Sequence, residues 1–151
     1  MTVRKAEAKD LPILGELACG LWPHHAPDAM RAEMAETLEM PDAAFFLAFA
    51  EKTSVGFAQC QLRHDYVEGT TTSPVGYLEG IYVMPEYQNH GLAKQLLGAC
   101  ESWAREKGCT EFASDCELSN DAGFSFHLSM GFTEVNRIIC FRKTLYARSM
   151  E

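Results

Sequence analysis

Hydrophobic residues along the chain follow two spacings, and segments of the two kinds succeed one another in a simple order. Short runs rich in β-branched and aromatic residues predict strands at 3–6, 44–50, 55–63, 76–83, 111–115 and 133–143. Apolar stripes at helical spacing predict helices at 10–22, 28–39, 92–107 and 122–130. Because a helix separates the fourth and fifth strands, we expect these two strands to be parallel with a right-handed crossover. The pattern predicts an α/β fold built on a mixed sheet.

The same pattern predicts a single domain over 1–151, because the chain is long enough for one core and shows no linker or repeat. Asp10 is the predicted N-cap of the first helix, and Gly108 is the predicted residue just after the third. In the last strand, apolar residues run consecutively from Ile138 to Phe141. Such a run predicts burial on both faces, either within the chain or against a second copy of it.

Charge and cysteine content narrow the classes of function. The formal net charge is −8, from 21 acidic and 13 basic residues, which argues against nucleic-acid binding and suits a cationic partner or simple solubility. The six cysteines lack metal-ligand spacing, and the adjacent His24 and His25 lack a third ligand, so no metal is expected. No segment suits a membrane span or secretion signal, which predicts a cytoplasmic protein.

The most informative stretch runs from the strand at 76–83 through Gln88 to Lys94 at the start of the next helix. Pro85 ends the strand because it has no N–H to donate to a ladder. The turn that follows leaves backbone N–H groups free at a helix N-terminus, which predicts a site for a pyrophosphate. The simpler alternative is that Gly91 only allows close packing.

This stretch resembles motif A of the Gcn5-related N-acetyltransferase superfamily through Gln88, Gly91 and Ala93, although Arg is commoner than Gln at the first position. A second family pattern is matched by Asn120, Gly123, Gly131 and Phe132, with His127 where the family often has tyrosine. The resemblance implies a central sheet that splays after a bulge, flanked by helices, with acetyl-coenzyme A (acetyl-CoA) as co-substrate. The residues implied to bind it are Ile81, Tyr82, Val83, Gln88, Asn89, His90, Gly91, Leu92, Ala93, Lys94, Asn120 and His127.

Acetyl transfer to an amine requires removal of a proton, polarisation of the thioester and departure of a thiolate. Glu79 interrupts an otherwise apolar strand, where a carboxylate needs a cation or hydrogen bonds, and is the predicted base. Asp115 would face the same cleft, with an ordinary turn role as the alternative. The N–H of Val83 is the predicted polarising group. His127 would protonate the thiolate, unless it only forms structural hydrogen bonds.

Longer stretches resemble one branch of the aminoglycoside 6′-N-acetyltransferases, namely 66–83, 109–115 and the Leu21-Trp22 pair. The resemblance implies transfer of acetyl to the 6′-amino group of these polycationic antibiotics, which confers resistance, by a homodimer. The residues expected at the acceptor site are Trp22, His25, Tyr66, Glu79, Asp115 and Asn136. Asn136 departs from the acidic residue common there. For Trp22, the alternative to a role in the acceptor site is burial at the end of a helix. Another amine acceptor, such as a polyamine or an amino acid, and a non-catalytic acyl-CoA sensor remain open.

Overall fold

A computed structural model of the protein describes residues 1–148 as a five-stranded mixed sheet with helices on both faces. The strands run in the order β1-β2-β3-β4-β5, and among these described strands only the β4–β5 pair is parallel. The elements are β1 (Thr2–Lys5), α1 (Leu11–Leu21), α2 (Pro27–Leu38), β2 (Ala43–Ala50), β3 (Thr53–Arg63), β4 (Val75–Val83), α3 (Leu92–Glu106), β5 (Phe112–Ser114) and α4 (Asp121–Ser129). The mixed α/β sheet predicted from the sequence is confirmed.

Each face of the sheet carries its own hydrophobic cluster. On one face, α3 buries residues such as Leu92, Leu96 and Trp103 against the strands. On the other, α1 and α2 bury residues such as Leu14 and Met34 around Phe45, Leu47 and Phe57. Because both faces of β2 are covered, its apolar residues are buried without alternation.

A β-bulge at Glu79 divides β4 into two halves. Gly80 pairs with Gln59 and Leu78 pairs with Cys60, so Glu79 is an extra residue with no partner on β3. In a regular strand Leu78 and Tyr82 would share a face. Here Leu78 lies in the α3 cluster and Tyr82 packs on the α1–α2 cluster. The bulge therefore shifts the alternation of β4 by one residue.

β4 and β5 separate shortly after they meet. Their register contains three pairs, Gly76 with Phe112, Tyr77 with Ala113 and Leu78 with Ser114. Beyond Leu78, β4 continues to Val83 while β5 has ended, which leaves one side of β4 open. We call this opening the splay gap, and Leu78 and Ser114 mark its closed end.

One local prediction, a strand, is wrong, and a second, a helix cap, is right in position but not in its hydrogen bond. The predicted strand at 133–143 is absent from the described residues, where 133–148 carry no regular structure and are exposed. A strand needs a ladder partner, and no strand of the described chain pairs with this segment. Asp10 stands before α1 but does not cap it through its side chain; its carboxylate accepts from the Glu7 N–H at 2.8 Å and from Arg4.

Gly108 follows α3 with a φ of +90°, in the left-handed conformation expected of a residue that ends a helix. No helix within residues 1–148 is long and apolar enough to cross a membrane.

Candidate active site

A cleft of about 250 Å³ opens between α1, α2 and the middle of the sheet. Its lining contains three of the predicted acceptor residues, Trp22, His25 and Glu79. The remaining lining residues are Met30, Glu33, Met34, Thr37, Gln59 and Gln61. Two carboxylates with several amide and hydroxyl groups make this cleft suited to a cationic, hydroxyl-rich molecule.

The indole of Trp22 is held against the floor of the cleft by a glycine of β4. A Cβ built on Gly80 would lie 2.8 Å from two ring carbons of Trp22, so the ring requires the absence of a side chain there. Its other contact is edge-on with Phe57, at 6.1 Å between ring centroids. Trp22 is thus both a packed helix-end residue and a wall of the cleft, and the two alternatives from the sequence are compatible.

Glu79 receives the cation that a carboxylate on this strand needs. Arg63 donates two hydrogen bonds to it, at 3.0 and 2.9 Å, and the Glu79 side chain is only 20% exposed. The guanidinium carbon of Arg63 also lies 3.5 Å from the centroid of the Tyr77 ring. The Tyr77 hydroxyl in turn donates to the Asp115 carboxylate. Arg63 and Tyr77 therefore link the two carboxylates that the sequence singled out.

The protonation states of Tyr77 and Arg63 follow from the same contacts. Burial, and then the hydrogen bond to Asp115, raise the pKa of Tyr77, so the phenol remains protonated and able to donate. Burial opposes ionisation of Arg63, but the hydrogen bond and charge of Glu79 outweigh it and raise the pKa of the guanidinium. The resting site holds Glu79 in an ion pair and Asp115 as an acceptor.

Three predicted acceptor residues, Tyr66, Asp115 and Asn136, are not in the lining of the cleft. Asp115 is connected to Glu79 through Tyr77 and Arg63. Tyr66 is 75% exposed and borders a separate hollow formed by the loop between β3 and β4. Asn136 donates to the Glu68 carboxylate of that loop at 2.6 Å. Tyr66 and Asn136 are therefore associated with the same loop, on a part of the surface distinct from the lining of the cleft.

The turn before α3 has the backbone geometry of an anion site. Asn89 and Gly91 have positive φ angles of 66° and 79°, and a Cβ on Gly91 would meet nothing within 4 Å. The first helical hydrogen bond joins the Gln95 N–H to the Gly91 carbonyl at 3.1 Å, so the N–H groups of 92–94 precede it and are free of the helix ladder. Open space in front of free N–H groups at a helix N-terminus suits a phosphate.

Strand alternation decides which backbone groups of β4 face the splay gap. The Met84 N–H bonds to Val55 on β3, so the backbone groups of Val83 and Ile81 point the other way, into the gap. The Gln88 side chain donates to the Val83 carbonyl at 3.0 Å, on that side. Tyr82 differs, because its backbone faces β3 and its ring packs against Gly20 of α1.

α4 carries the two remaining predicted residues to the far side of the gap. The Asn120 side chain accepts from the Gly123 N–H at 2.9 Å and caps the helix. His127 makes two hydrogen bonds, one to the Gly123 carbonyl at 2.6 Å and one to the Ser114 hydroxyl at 2.8 Å. Each residue therefore has a structural contact, beside whatever part it plays towards a ligand.

Sequence reasoning missed Arg63, Tyr77, Glu33, Gly80 and Ser114. Arg63 and Glu33 look like ordinary surface charges, and Gly80 like one of many turn or packing glycines. A glycine directly after the lone carboxylate of an apolar strand was the one available signal, because such a position often marks a bulge or a close approach. Within residues 1–148, no group of three or more His, Cys, Asp or Glu side chains is arranged to hold a metal ion.

Comparison with known proteins gives this arrangement a family. The profile of the Acetyltransferase (GNAT) family matches residues 11–132, which include both the turn before α3 and His127. An aminoglycoside N(6′)-acetyltransferase type 1 of Salmonella typhimurium is 41% identical over 143 residues, covering 95% of this chain and 99% of that protein. One of Stenotrophomonas maltophilia is 42% identical over 145 residues, covering 95% and 94%.

Among solved structures, AAC(6′)-Iy in complex with the bisubstrate analogue CoA-S-monomethyl-acetylneamine superposes with a TM-score of 0.91. It is 40% identical, and the match covers 95% of this chain and 98% of that one. The chain belongs to the acetyltransferase (GNAT) family, among its aminoglycoside N(6′)-acetyltransferases. The resemblance and the fold predicted from the sequence are both confirmed.

Proposed function

We propose that the protein transfers the acetyl group of acetyl-CoA to the 6′-amino group of aminoglycoside antibiotics by direct attack, and so confers resistance. The observation that best supports this proposal is the position of Glu79 on the β4 bulge, between the acceptor cleft and the splay gap. The aminoglycoside-acetylating relatives, and the bisubstrate analogue bound by one of them, support this acceptor class and this co-substrate.

On the acceptor side, the polycationic drug meets two carboxylates that line the cleft, Glu33 from α2 and Glu79 from β4. Glu79 takes the proton that the attacking ammonium must lose, directly or through water. Arg63 keeps the Glu79 carboxylate oriented until the drug arrives. Asp115 is the second carboxylate of the group and is held by Tyr77. Trp22 and His25 form the cleft wall, and Tyr66 and Asn136 contact parts of the drug that extend past it.

On the coenzyme side, the free N–H groups of the turn 88–94 hold the pyrophosphate, and Ile81 and Val83 pair with the pantetheine arm. The arm enters the gap past Val83, so its thioester end lies nearer the closed end of the gap. The N–H of Ile81 is closer to that end than the N–H of Val83. We therefore assign Ile81 the polarising role that the sequence predicted for Val83. His127 supplies the proton to the departing thiolate.

The acceptor class is tested by a panel that contains kanamycin, tobramycin, a polyamine and free amino acids, with release of CoA thiol as the readout. We expect turnover with the 6′-amino aminoglycosides and acetylation at the 6′ nitrogen by mass spectrometry and NMR. A clear preference for the polyamine or an amino acid would replace the proposed substrate. Binding of acetyl-CoA without turnover on any amine would replace the proposed activity with a sensor.

Glu79→Gln separates the two halves of the site. The substitution keeps the size and removes the charge, so we expect turnover to fall about 100-fold or more, as for loss of a general base. Binding of acetyl-CoA, measured by calorimetry, should stay within about twofold, since Glu79 lies on the acceptor side. Glu86→Gln, on the exposed turn after β4, is the matched control. Equal loss of turnover and CoA binding would make Glu79 structural.

Gly91→Ala tests the phosphate site, with Gly108→Ala as its control. Both glycines have positive φ, 79° and 90°, and open space where a Cβ would lie, so both variants incur a similar backbone strain of about 1 kcal/mol. Only Gly91 faces the coenzyme. We expect Gly91→Ala alone to weaken CoA binding, by at least tenfold. Similar CoA affinity in the two variants would refute the placement.

We also propose that the protein is a homodimer, that 1–151 form one domain and that the enzyme acts in the cytoplasm, where acetyl-CoA is available. The segment 133–148 supports the dimer, because Ile138, Ile139 and Phe141 are 69%, 81% and 89% exposed. Consecutive apolar side chains on this segment fit a second copy that covers them. The double variant Ile139→Asp/Phe141→Asp should become monomeric by light scattering, whereas Leu118→Asp, at a position 80% exposed, should not.

A further inference from the structure

Ser114 and His127 contact each other at the closed end of the splay gap. Ser114 is the last residue of β5 and pairs with Leu78, the last residue of β4 to pair with β5. Its hydroxyl lies 2.8 Å from Nε2 of His127 and 3.4 Å from the Leu78 carbonyl. In this arrangement His127 would reach a ligand in the gap through the Ser114 hydroxyl and not by its own ring nitrogen.

The hydrogen bonds of His127 determine which nitrogen carries the proton. Nδ1 lies 2.6 Å from the Gly123 carbonyl, and a carbonyl can only accept, so Nδ1 is the protonated nitrogen of the neutral ring. Nε2 then has a lone pair and accepts from the Ser114 hydroxyl. When the ring becomes a cation, Nε2–H donates to Oγ instead, and the Ser114 proton is free to point elsewhere.

The contacts of His127 hold its ring with Nε2 directed at Ser114. Phe126 and Phe132 pack edge-on against the imidazole, with ring centroids at 5.5 and 5.1 Å. With both ring nitrogens engaged and aromatic rings on its flanks, the imidazole is oriented rather than mobile. Ser114, which is half-buried, is within hydrogen-bond distance of Nε2 and is the β5 residue at the closed end of the gap.

The coenzyme arm of the proposed function would bring its thioester oxygen to the Ile81 N–H and its sulfur between Ile81 and this closed end. The phosphate turn lies beyond Val83, and β4 rises about 3.3 Å per residue, so the way from Val83 back to Leu78 is roughly 16 Å. An extended arm anchored at the turn runs along this length towards the closed end. Its far end carries the thioester, and Ser114 is the hydroxyl that terminates the gap.

We propose that Ser114 is a catalytic residue that passes the proton from His127 to the departing thiolate. As the carbon–sulfur bond breaks, the electron pair stays on sulfur, which takes the Ser114 Oγ proton. The imidazolium forms beforehand, when Nε2 of the resting neutral ring takes a proton from solvent. Oγ takes this Nε2 proton in the same movement, so serine ends unchanged and His127 ends neutral. The net reaction moves one proton from imidazolium to sulfur. The proposal rests on the proposed acetyl transfer and adds to it the residue through which His127 acts.

The first test compares single-turnover rates of acetyl transfer in Ser114→Ala, Ser114→Thr and the wild type. Ser114→Ala should lose about 100-fold, the lower end of the range for acid catalysis, while its affinity for CoA stays within about twofold. Ser114→Thr keeps a hydroxyl and should recover most of the rate. Ser129→Ala, whose hydroxyl only donates to the Phe126 carbonyl on α4, should match the wild type. A wild-type rate in Ser114→Ala would overturn the proposal.

His127→Gln provides a second, independent variant. Glutamine can accept the serine hydrogen bond but cannot be a cation, so it should lose about as much rate as Ser114→Ala. The double variant should lose no more than either single one, because the two residues act as one unit. Additive losses would mean that His127 reaches the sulfur without Ser114, and would overturn the relay.

A measurement on the resting protein completes the test. Nitrogen NMR of His127 should show the Nδ1–H tautomer in the wild type, and Ser114→Ala should shift the Nε2 resonance without changing that tautomer. An Nε2–H tautomer in the wild type would overturn the relay. If instead the wild type acetylates no aminoglycoside, the proposed acceptor fails, and the same variants are compared with whichever amine the panel identifies.

Discussion

Replacing Gly80 with alanine adds one methyl group to the floor of the acceptor cleft. That Cβ would lie 2.8 Å from two ring carbons of Trp22 and 2.9 Å from a methyl carbon of Leu21. Carbon atoms in contact prefer about 3.5–4.0 Å, so the indole must retreat by roughly 1 Å. Trp22 stands just after the end of α1 beside an open cleft, so the ring moves into the space that the drug would fill.

The expected magnitudes follow from that movement. Overpacking of this kind costs about 1–3 kcal/mol, divided between folding and binding. If about half of a 2–3 kcal/mol strain falls on binding, the acceptor KM rises roughly tenfold, since about 1.4 kcal/mol is a factor of ten. The remainder lowers the free energy of unfolding by about 1 kcal/mol, which lowers Tm by about 2–4 °C for a chain of this size.

The assay measures CoA release at saturating acetyl-CoA while the acceptor concentration is varied, together with thermal unfolding and CoA binding by calorimetry. Gly98→Ala is the matched control, because a Cβ there meets nothing within 4 Å and the position is inside α3. Alanine at Gly98 should stabilise the protein by about 0.5–1 kcal/mol and leave the acceptor KM unchanged. A Gly80→Ala variant with wild-type acceptor KM and wild-type stability would refute the placement of Trp22 on β4.

Two further predictions concern stability and local order. Arg4, and then the Glu7 N–H, hold the pKa of Asp10 at about 2, below its ordinary 3.8, so its stabilising contribution is present above about pH 4 and is lost as the pH falls towards 2. Asp10→Asn should therefore lower the free energy of unfolding by about 1–2 kcal/mol at neutral pH, as measured by denaturant titration. The difference from the wild type should vanish near pH 2. A difference that does not depend on pH would contradict this prediction. The Glu111 carboxylate accepts from two N–H groups of the loop before β4, at 3.0 and 2.9 Å, so Glu111→Gln should speed hydrogen exchange at residues 71 and 72, and unchanged exchange rates would show that the loop holds without it.

The sequence predicted the helices and the first five strands within a few residues, because their apolar periodicity is strong and local. It also predicted that Glu79 requires a cation or hydrogen bonds. It could not identify that cation as Arg63, which lies 16 residues earlier in the chain on the neighbouring strand. The pairing depends on the register of β3 against β4, and a bulge shifts that register by one residue. Such a shift is decided by packing on both faces of the sheet, which no local pattern records.

The C-terminal segment shows a different limit. Its consecutive apolar residues predicted burial, but in the described chain Ile138, Ile139 and Phe141 are exposed. The pattern does not say whether a burying surface would belong to the same chain or to a second copy. Asp10 shows a third limit. Asp at the start of a helix is typical of a cap, yet the Asp10 carboxylate accepts hydrogen bonds from Arg4 on β1 instead of from the helix. For Asp10, a contact with another element decided what the local preference left open.

The bulge at Glu79 has a consequence for how this enzyme can change. It separates β4 into two stretches whose side-chain phases are set independently. Substitutions before the bulge can therefore change one stretch without rotating Ile81 and Val83, the residues proposed to pair with the pantetheine arm. Removing a single residue at the bulge would instead turn one half of the strand over. Exchange of whole segments between related enzymes should therefore succeed when the junction falls at Glu79, and the lining of the cleft, which lies at or before Glu79, should be inherited with the upstream piece.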